Sequence, residues 1–360
     1  MKNNHRTILQ NLSLLIFSAV LALLLSEIAL RIMGRTPHFV SAEQRRFWHY
    51  HPQLGWSHQP GQEGVFEAPQ FRIQVRINQK GLRDREHSYE RPQAMKRILV
   101  LGNSFAWGYG VEESDRFSER LETLMGVEVI NAAVSGYSTD QALLWFGSEG
   151  IKYQTDLVIL TFCGNDIGEN KRQNVHTIYN KPLFLIEDGN MTLEGVPVPK
   201  ADLHIVFAHR LRQHTALFNL LLSAYKNMEA KILTNNPPVT KMSTPIKPFE
   251  LTRSLIKEIK NIAQLNGAQF MIVATDAYWY DSPDGKYSDF IDALRADGFL
   301  VVDVVPMKEL NQSEMLIVDD EHWSSVGHEF VANEIQDYIN EHQLLTPQQP
   351  YDTTRPDTGQ

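Results

Sequence analysis

Arg97-Ile98-Leu99-Val100-Leu101-Gly102-Asn103-Ser104-Phe105 is the stretch on which the fold turns. A strand-length apolar run ends in a glycine and two small polar residues, which reads as a strand turning tightly into a helix. Toward the C-terminus the same alternation continues. A helix is expected from about Ser114, a strand at Val127 to Asn131, a helix from about Thr139 and a strand at Leu157 to Phe162. A helix across Leu251 to Asn266, strands at Phe270 to Ala274 and Leu300 to Val304, and a helix from Ser325 to His342 complete the pattern. Five apolar strands with intervening helices imply an α/β domain, a parallel sheet covered on both faces with right-handed crossovers.

Between the third and fourth strands about ninety residues, Asn170 to about Phe249, are inserted, far more than a simple crossover needs. An extended piece at Pro182 to Ile186, a helical stretch at Leu203 to Ala230 and a link with Pro237, Pro238, Pro245 and Pro248 suggest a lid beside the ligand-binding edge of the sheet. Residues 36–96 read as an extended segment capping the main domain of 97–342, and residues 343–360 as a disordered tail.

The chain has 360 residues, 42% hydrophobic and 21% charged, which excludes wholesale disorder, a collagen-like repeat and a disulfide-stapled mini-protein. The single cysteine, Cys163, cannot close an internal bridge. The net charge of -9 is unevenly spread: residues 1–46 carry +4 and the remainder -13. An acidic body is a poor partner for nucleic acid, whose phosphates reward a positive face.

The basic head surrounds a charge-free run from Thr7 to Ser26, whose twenty residues reach roughly 30 Å as a helix, the thickness of a bilayer core. Residues 1–35 therefore read as a transmembrane anchor. A cleaved signal peptide is the competing reading, with Lys2 and Arg6 as its basic start, but Ser26-Glu27-Ile28-Ala29-Leu30 offers no small-x-small cleavage site. Arg31, Arg35, Arg45 and Arg46 outnumber the basic residues before the span, which by itself opposes an N-inside orientation, though long domains translocate largely regardless of charge.

Ligand sites of open parallel sheets lie at the carboxyl ends of the strands. Four clusters fall there: Gly102-Asn103-Ser104; Val134-Ser135-Gly136-Tyr137; Gly164-Asn165-Asp166; and Asp319-Asp320-Glu321-His322-Trp323. Ser104 on its turn would expose a nucleophilic hydroxyl, His322 would take its proton, and Asp319 would turn back onto the imidazole to fix its tautomer. The Ser104 amide, the Gly136 amide and the Asn165 side chain would receive an oxyanion. Each alone has a plainer reading as helix cap or turn. Asp319, Asp320 and Glu321 would equally complement the N-terminus of the last helix. A metal held by His322 and His328 is disfavoured, because six positions is not the spacing of a shared helix face.

Together, and in this order, Ser104, Gly136, Asn165 and His322 resemble the four residues that name the SGNH hydrolases of the GDSL esterase and lipase superfamily, with Asp319 at the first position of its Asp-x-x-His block. The resemblance spans about residues 95 to 340. It implies a flavodoxin-like three-layer sandwich and hydrolysis of carboxylic esters through an acyl-enzyme, without metal or organic cofactor. Asn103 departs from the usual Gly-Asp-Ser. Pro52-Gln53-Leu54-Gly55-Trp56 and Asn78-Gln79-Lys80-Gly81-Leu82-Arg83-Asp84 are similar to segments of a membrane-anchored bacterial subgroup, which implies an extracytoplasmic hydrolase domain and outweighs the charge count. Trp107, Tyr109, Trp145 and Trp323 are candidates to line an acyl or sugar site, although aromatics so spaced more often belong to a core.

The leading expectation is thus an anchored serine esterase removing acetyl or short acyl groups from an envelope glycan, a lipid or a small ester. An O-acyltransferase of envelope polysaccharide would use the same acyl-enzyme, and a non-catalytic scaffold binding an envelope polymer would use none. Oligomeric state is not fixed by the sequence.

Overall fold

The computed structural model describes residues 2–35, 44–91, 95–176, 179–187, 189–235, 248–275, 281–282, 285–304 and 314–345. Pro237, Pro238 and Pro245 of the expected link and the tail after Leu345 lie outside the described residues. The chain forms two compact units: 1–42 with 176–180 and 200–245, and 43–175 with 181–199 and 246–360.

In the larger unit, two hairpins come first: β1 (Trp48–His51) with β2 (Gly55–His58), and β3 (Glu63–Ala68) with β4 (Phe71–Arg76). The sheet domain follows with β5 (Arg97–Gly102), α2 (Ser104–Trp107), α3 (Phe117–Met125), β6 (Glu128–Asn131), α4 (Thr139–Ser148), β7 (Leu157–Phe162) and α5 (Asn165–Glu169). After a hairpin of β8 (Leu183–Glu187) and β9 (Asn190–Glu194), it resumes with α8 (Pro248–Leu265), β10 (Gln269–Ala274), α9 (Tyr287–Ala296), β11 (Val301–Asp303) and α10 (Ser325–Glu341). The helices α6 (Leu203–His214) and α7 (Ala216–Asn235) belong to the smaller unit.

The five-stranded sheet is parallel throughout, in the order β11-β10-β7-β5-β6. Every residue of β5 and β7 is buried, which is why these strands read as unbroken apolar runs. Alternate side chains serve opposite faces. Ile98, Val100, Leu157 and Ile159 pack with Phe117 and Leu121 of α3 and with Val331, Ile335 and Ile339 of α10. The intervening residues face the other layer, where α4 and α8 pack together and against the sheet. The chain leaves β5 toward β6, then crosses back to β7, so the strand order reverses at β5 and β7. In doubly wound sheets such a switch point opens a crevice at the strands' carboxyl ends.

The hairpins wrap one aromatic residue of α2. Phe47, Trp48 and Phe66 join Trp107 in a cluster, with Trp48 and Phe66 ring centroids 5.7 and 5.4 Å from its indole. Its Nε1 donates to His58 Nε2 at 2.9 Å, while His58 Nδ1 donates to the Gly81 carbonyl. Burial pulls this imidazole down to about 4, so it stays neutral.

The smaller unit contains α1 (Lys2–Ile32), α6 and α7. Within α1, Gln10–Ile32 is long and apolar enough to cross a bilayer, with a mean hydropathy of 2.3, and suits either an anchor or a signal sequence. Of the residues between the third and fourth strands of the sheet, Lys181–Pro199 group with the larger unit, and the described residues 200–235 with α1 in the smaller.

Candidate active site

Ser104 begins α2 where β5 ends. Gly102 makes that turn possible, since a Cβ there would lie 2.9 Å from the Thr161 carbonyl oxygen and from Thr161 Cβ. Asn103 caps α2, its side-chain oxygen accepting from the Phe105 amide at 3.2 Å. The other end of this four-residue helix is closed by Gly108 at φ 82°. There the buried guanidinium of Arg83 lies over the Trp107 ring and donates to the carbonyls of Trp107, Gly108 and Val111 at 2.6 to 2.9 Å. A cation on the last carbonyls of a helix is electrostatically favourable, so this arginine fixes the turn that presents Ser104.

His322 Nε2 lies 2.7 Å from Ser104 Oγ, a contact bridging 218 positions of chain. The imidazole Nδ1 meets a carboxylate oxygen at 2.6 Å, but the residue is Asp320, not the expected Asp319. The reason is local geometry. Ile317 to Asp320 form a turn closed by the Asp320 amide on the Ile317 carbonyl, and Asp319 occupies its left-handed position at φ 57°, where it is exposed. Beyond the turn the chain runs back beside Leu316, with Leu316 and Trp323 bridged. Residues two apart on such an extended return share a face, which aligns Asp320 with His322 and excludes Asp319. Asp320 Oδ1 also accepts from the His322 backbone amide at 2.9 Å. Partial burial would raise this carboxyl, yet the hydrogen bonds from His322 outweigh it and hold it below the usual carboxylate range.

Gly136 and Asn165 stand at the ends of the two strands flanking β5. Gly136, at φ 83°, lies in the turn after β6, and Asn165 is exposed at the first position of α5. Asn165 Nδ2 donates to Glu169 Oε1 at 3.2 Å. The loops are joined beneath the surface. Asn103 Nδ2 donates to Asp166 Oδ1 at 3.4 Å, and Thr139 Oγ1 to Asp166 Oδ2 at 3.0 Å. An aspartate at position 103 would set a second carboxyl against Asp166, so asparagine suits this wall.

Among the four aromatic candidates, Trp107, Trp145 and Trp323 are buried in the core. Tyr109 is half-buried, its ring centroid 4.3 Å from that of His322, and Phe105 lies 4.9 Å away on the same imidazole. His328 is no companion ligand for His322. It is buried against Phe117 and Trp323, and its Nδ1 accepts from the Phe117 amide at 3.2 Å.

Sequence reasoning does not single out Arg83 and Asp166 as supports of the site, although they lie inside the Asn78 to Asp84 and Gly164-Asn165-Asp166 motifs. Asp84, beside Arg83, accepts from the Asn131 amide at 2.7 Å. Asn131 Nδ2 donates to the Ala106 carbonyl, also at 2.7 Å. The Asn78 to Asp84 motif therefore braces both β6 and α2.

A parallel sheet with a serine, an imidazole and a carboxylate in line at its switch point has the form of a serine hydrolase. The model of the GDSL-like Lipase/Acylhydrolase family matches residues 100–330, so the chain belongs to that family of carboxylic ester hydrolases. Among solved structures it is similar to a psychrotrophic esterase, EstA, from Pseudoalteromonas sp., at 13% identity over 69% of this chain and 98% of that one, with a TM-score of 0.42. It is also similar to the lipase/acylhydrolase from Enterococcus faecalis, at 17% identity over 71% and 100% of the two chains, with a TM-score of 0.38. No curated protein sequence matches it.

Proposed function

We propose that the protein is a membrane-anchored serine esterase that removes acetyl or short acyl groups through a Ser104-His322-Asp320 triad, its hydrolase domain on the extracytoplasmic side. The observation that carries the reading is the continuous row from Ser104 Oγ through the imidazole to Asp320, with both links at 2.7 Å or less. Ser104 Oγ attacks the ester carbonyl and its proton passes to His322 Nε2. Asp320 accepts from Nδ1 and stabilises the imidazolium. The amides of Ser104 and Gly136 and the Asn165 side chain, turned from Glu169, receive the oxyanion. Collapse expels the alcohol, which takes the proton from His322. A water molecule, activated by the same nitrogen, then cleaves the acyl-enzyme and restores Ser104. The charge-free span of α1 and the motifs shared with the anchored subgroup support the location.

The test uses the purified full chain in detergent. A fluorophosphonate should label Ser104, and p-nitrophenyl acetate should turn over faster than the octanoate. Ser104→Ala should lose both activities with an unchanged circular dichroism spectrum. Equal turnover by Ser104→Ala overturns the mechanism, and faster octanoate cleavage overturns the acyl preference.

A further inference from the structure

Within the smaller unit, Glu27 is the first charged residue after the apolar run Thr7 to Ser26. Its two carboxylate oxygens accept from the Ala216 and Leu217 amides at 3.0 and 2.9 Å, capping the N-terminus of α7. Arg31, paired with Glu27 at 2.8 Å, donates to the His214 carbonyl at the end of α6 at 2.9 Å. The corner between α6 and α7 is thus locked to α1 where that helix passes from apolar to charged sequence.

Along the two helices that meet at this corner, apolar side chains are exposed. Leu203 and Phe207, one turn apart on α6, are 88% and 63% exposed, and Leu221 and Tyr225, one turn apart on α7, are 58% and 56% exposed. Such paired apolar rows are not ordinary for a water-facing surface. The segment Leu203 to Tyr225 contains Arg210 and Arg212 but no aspartate or glutamate, within a chain of net charge -9. Apolar and aromatic side chains beside arginines suit the boundary between acyl chains and anionic headgroups. The apolar part of α7, Ala216–Tyr225, reaches only about 15 Å as a helix, half of what a crossing requires.

We infer that the corner of α6 and α7 lies in the surface of the lipid bilayer beside α1, its apolar rows among the acyl chains and its arginines at anionic headgroups, with Glu27 as the lock. The inference rests on α1 being a retained anchor. Continuity with that helix and the acid-free sequence favour lipid over a protein partner.

The experiment places a nitrobenzoxadiazole dye on Leu221→Cys, or for reference on Leu21→Cys, in the full chain carrying Cys163→Ala. Each protein is reconstituted in phosphatidylethanolamine and phosphatidylglycerol vesicles with or without brominated acyl chains. Quenching at both positions is expected, and Glu27→Gln should weaken it at position 221 alone. Quenching at position 21 only, with position 221 open to aqueous iodide, overturns the inference and leaves the anchor standing. A position 221 dye reached by neither quencher means a protein covers the corner, and also overturns it. Absence of lipid quenching at position 21 removes the anchor and the inference together.

Discussion

Asp320 and His322 share two hydrogen bonds, with one oxygen of the carboxylate accepting from both the ring Nδ1 and the backbone amide of the histidine. The carboxylate therefore fixes the rotation of the imidazole as well as its tautomer, and the turn ending at Asp320 aims His322 at Ser104.

Asp320→Asn should lower kcat by on the order of 10⁴, the cost of a wrongly oriented or wrongly tautomeric imidazole, with little change in KM. Asp319→Asn, at the exposed apex of the turn, should stay within about twofold. Steady-state kinetics on an aryl acetate decides between them. A large loss in Asp319→Asn with a small one in Asp320→Asn would return the role to Asp319.

The wall behind the site makes a prediction about pH. Asp166 is buried; loss of water and then the nearby Glu169 push its carboxyl well above the usual aspartate range, against the opposing bonds from Thr139 and Asn103. The folded protein therefore keeps a proton that the unfolded chain has released, so this group's contribution weakens as pH rises from about 4 toward the folded value. Asp166→Asn makes the neutral state permanent. Its stability relative to the parent should rise with pH across that window, by up to about 1.4 kcal/mol per pH unit. Asn103→Asp, which adds a second carboxyl, should be destabilising near pH 7. Denaturant melts from pH 4 to 8 test both, and a gap between Asp166→Asn and the parent that does not change with pH would sink the argument.

How much of this was legible follows from the range of each interaction. The buried strands β5 and β7 announce themselves as apolar runs, and the rule that sites lie past strand ends points to Ser104 and His322, which the fold brings to 2.7 Å, and to Gly136 and Asn165, which it places at the neighbouring strand ends. The choice between Asp319 and Asp320 depends on one left-handed residue in a four-residue turn, which neither composition nor spacing encodes. The aromatic residues beside the motifs looked equally eligible to line a pocket, but Trp107 is enclosed by hairpins some fifty positions earlier in the chain. The division of the insertion between two units rests on contacts as distant as Glu27 with Ala216, and no local pattern carries them.

Arg83 gives a third prediction. Its fork satisfies the Trp107 and Gly108 carbonyls at the end of α2 and the Val111 carbonyl in the loop beyond, acceptors that a lysine cannot reach together from its single nitrogen. Arg83→Lys should therefore cost about 1 to 3 kcal/mol in stability. It should also lower kcat more than it raises KM, because the disturbed helix carries Ser104, the proposed nucleophile. Thermal melts with kinetics check this, and a variant with parental stability and kcat would remove Arg83 from the support of the site.

The last prediction concerns the strap formed by the part of the insertion that stays with the larger unit. Lys181 pairs with Asp140 in the first turn of α4, and neither side chain is exposed to water. Burial pushes the Asp140 carboxyl above the usual aspartate range, and Lys181 is the largest influence opposing it. Lys181→Met leaves that carboxyl without its cation, which should cost about 3 to 5 kcal/mol. Asp140→Leu combined with Lys181→Met removes both charges and should recover much of the loss. Because α4 starts directly after the Gly136 turn, Lys181→Met should also slow ester cleavage, and the double variant should regain part of the rate. Urea titrations should show midpoints moving at constant slope. If Lys181→Met costs less than about 0.5 kcal/mol, an ordinary surface value, the pair does not hold α4 and the strap is only a connection.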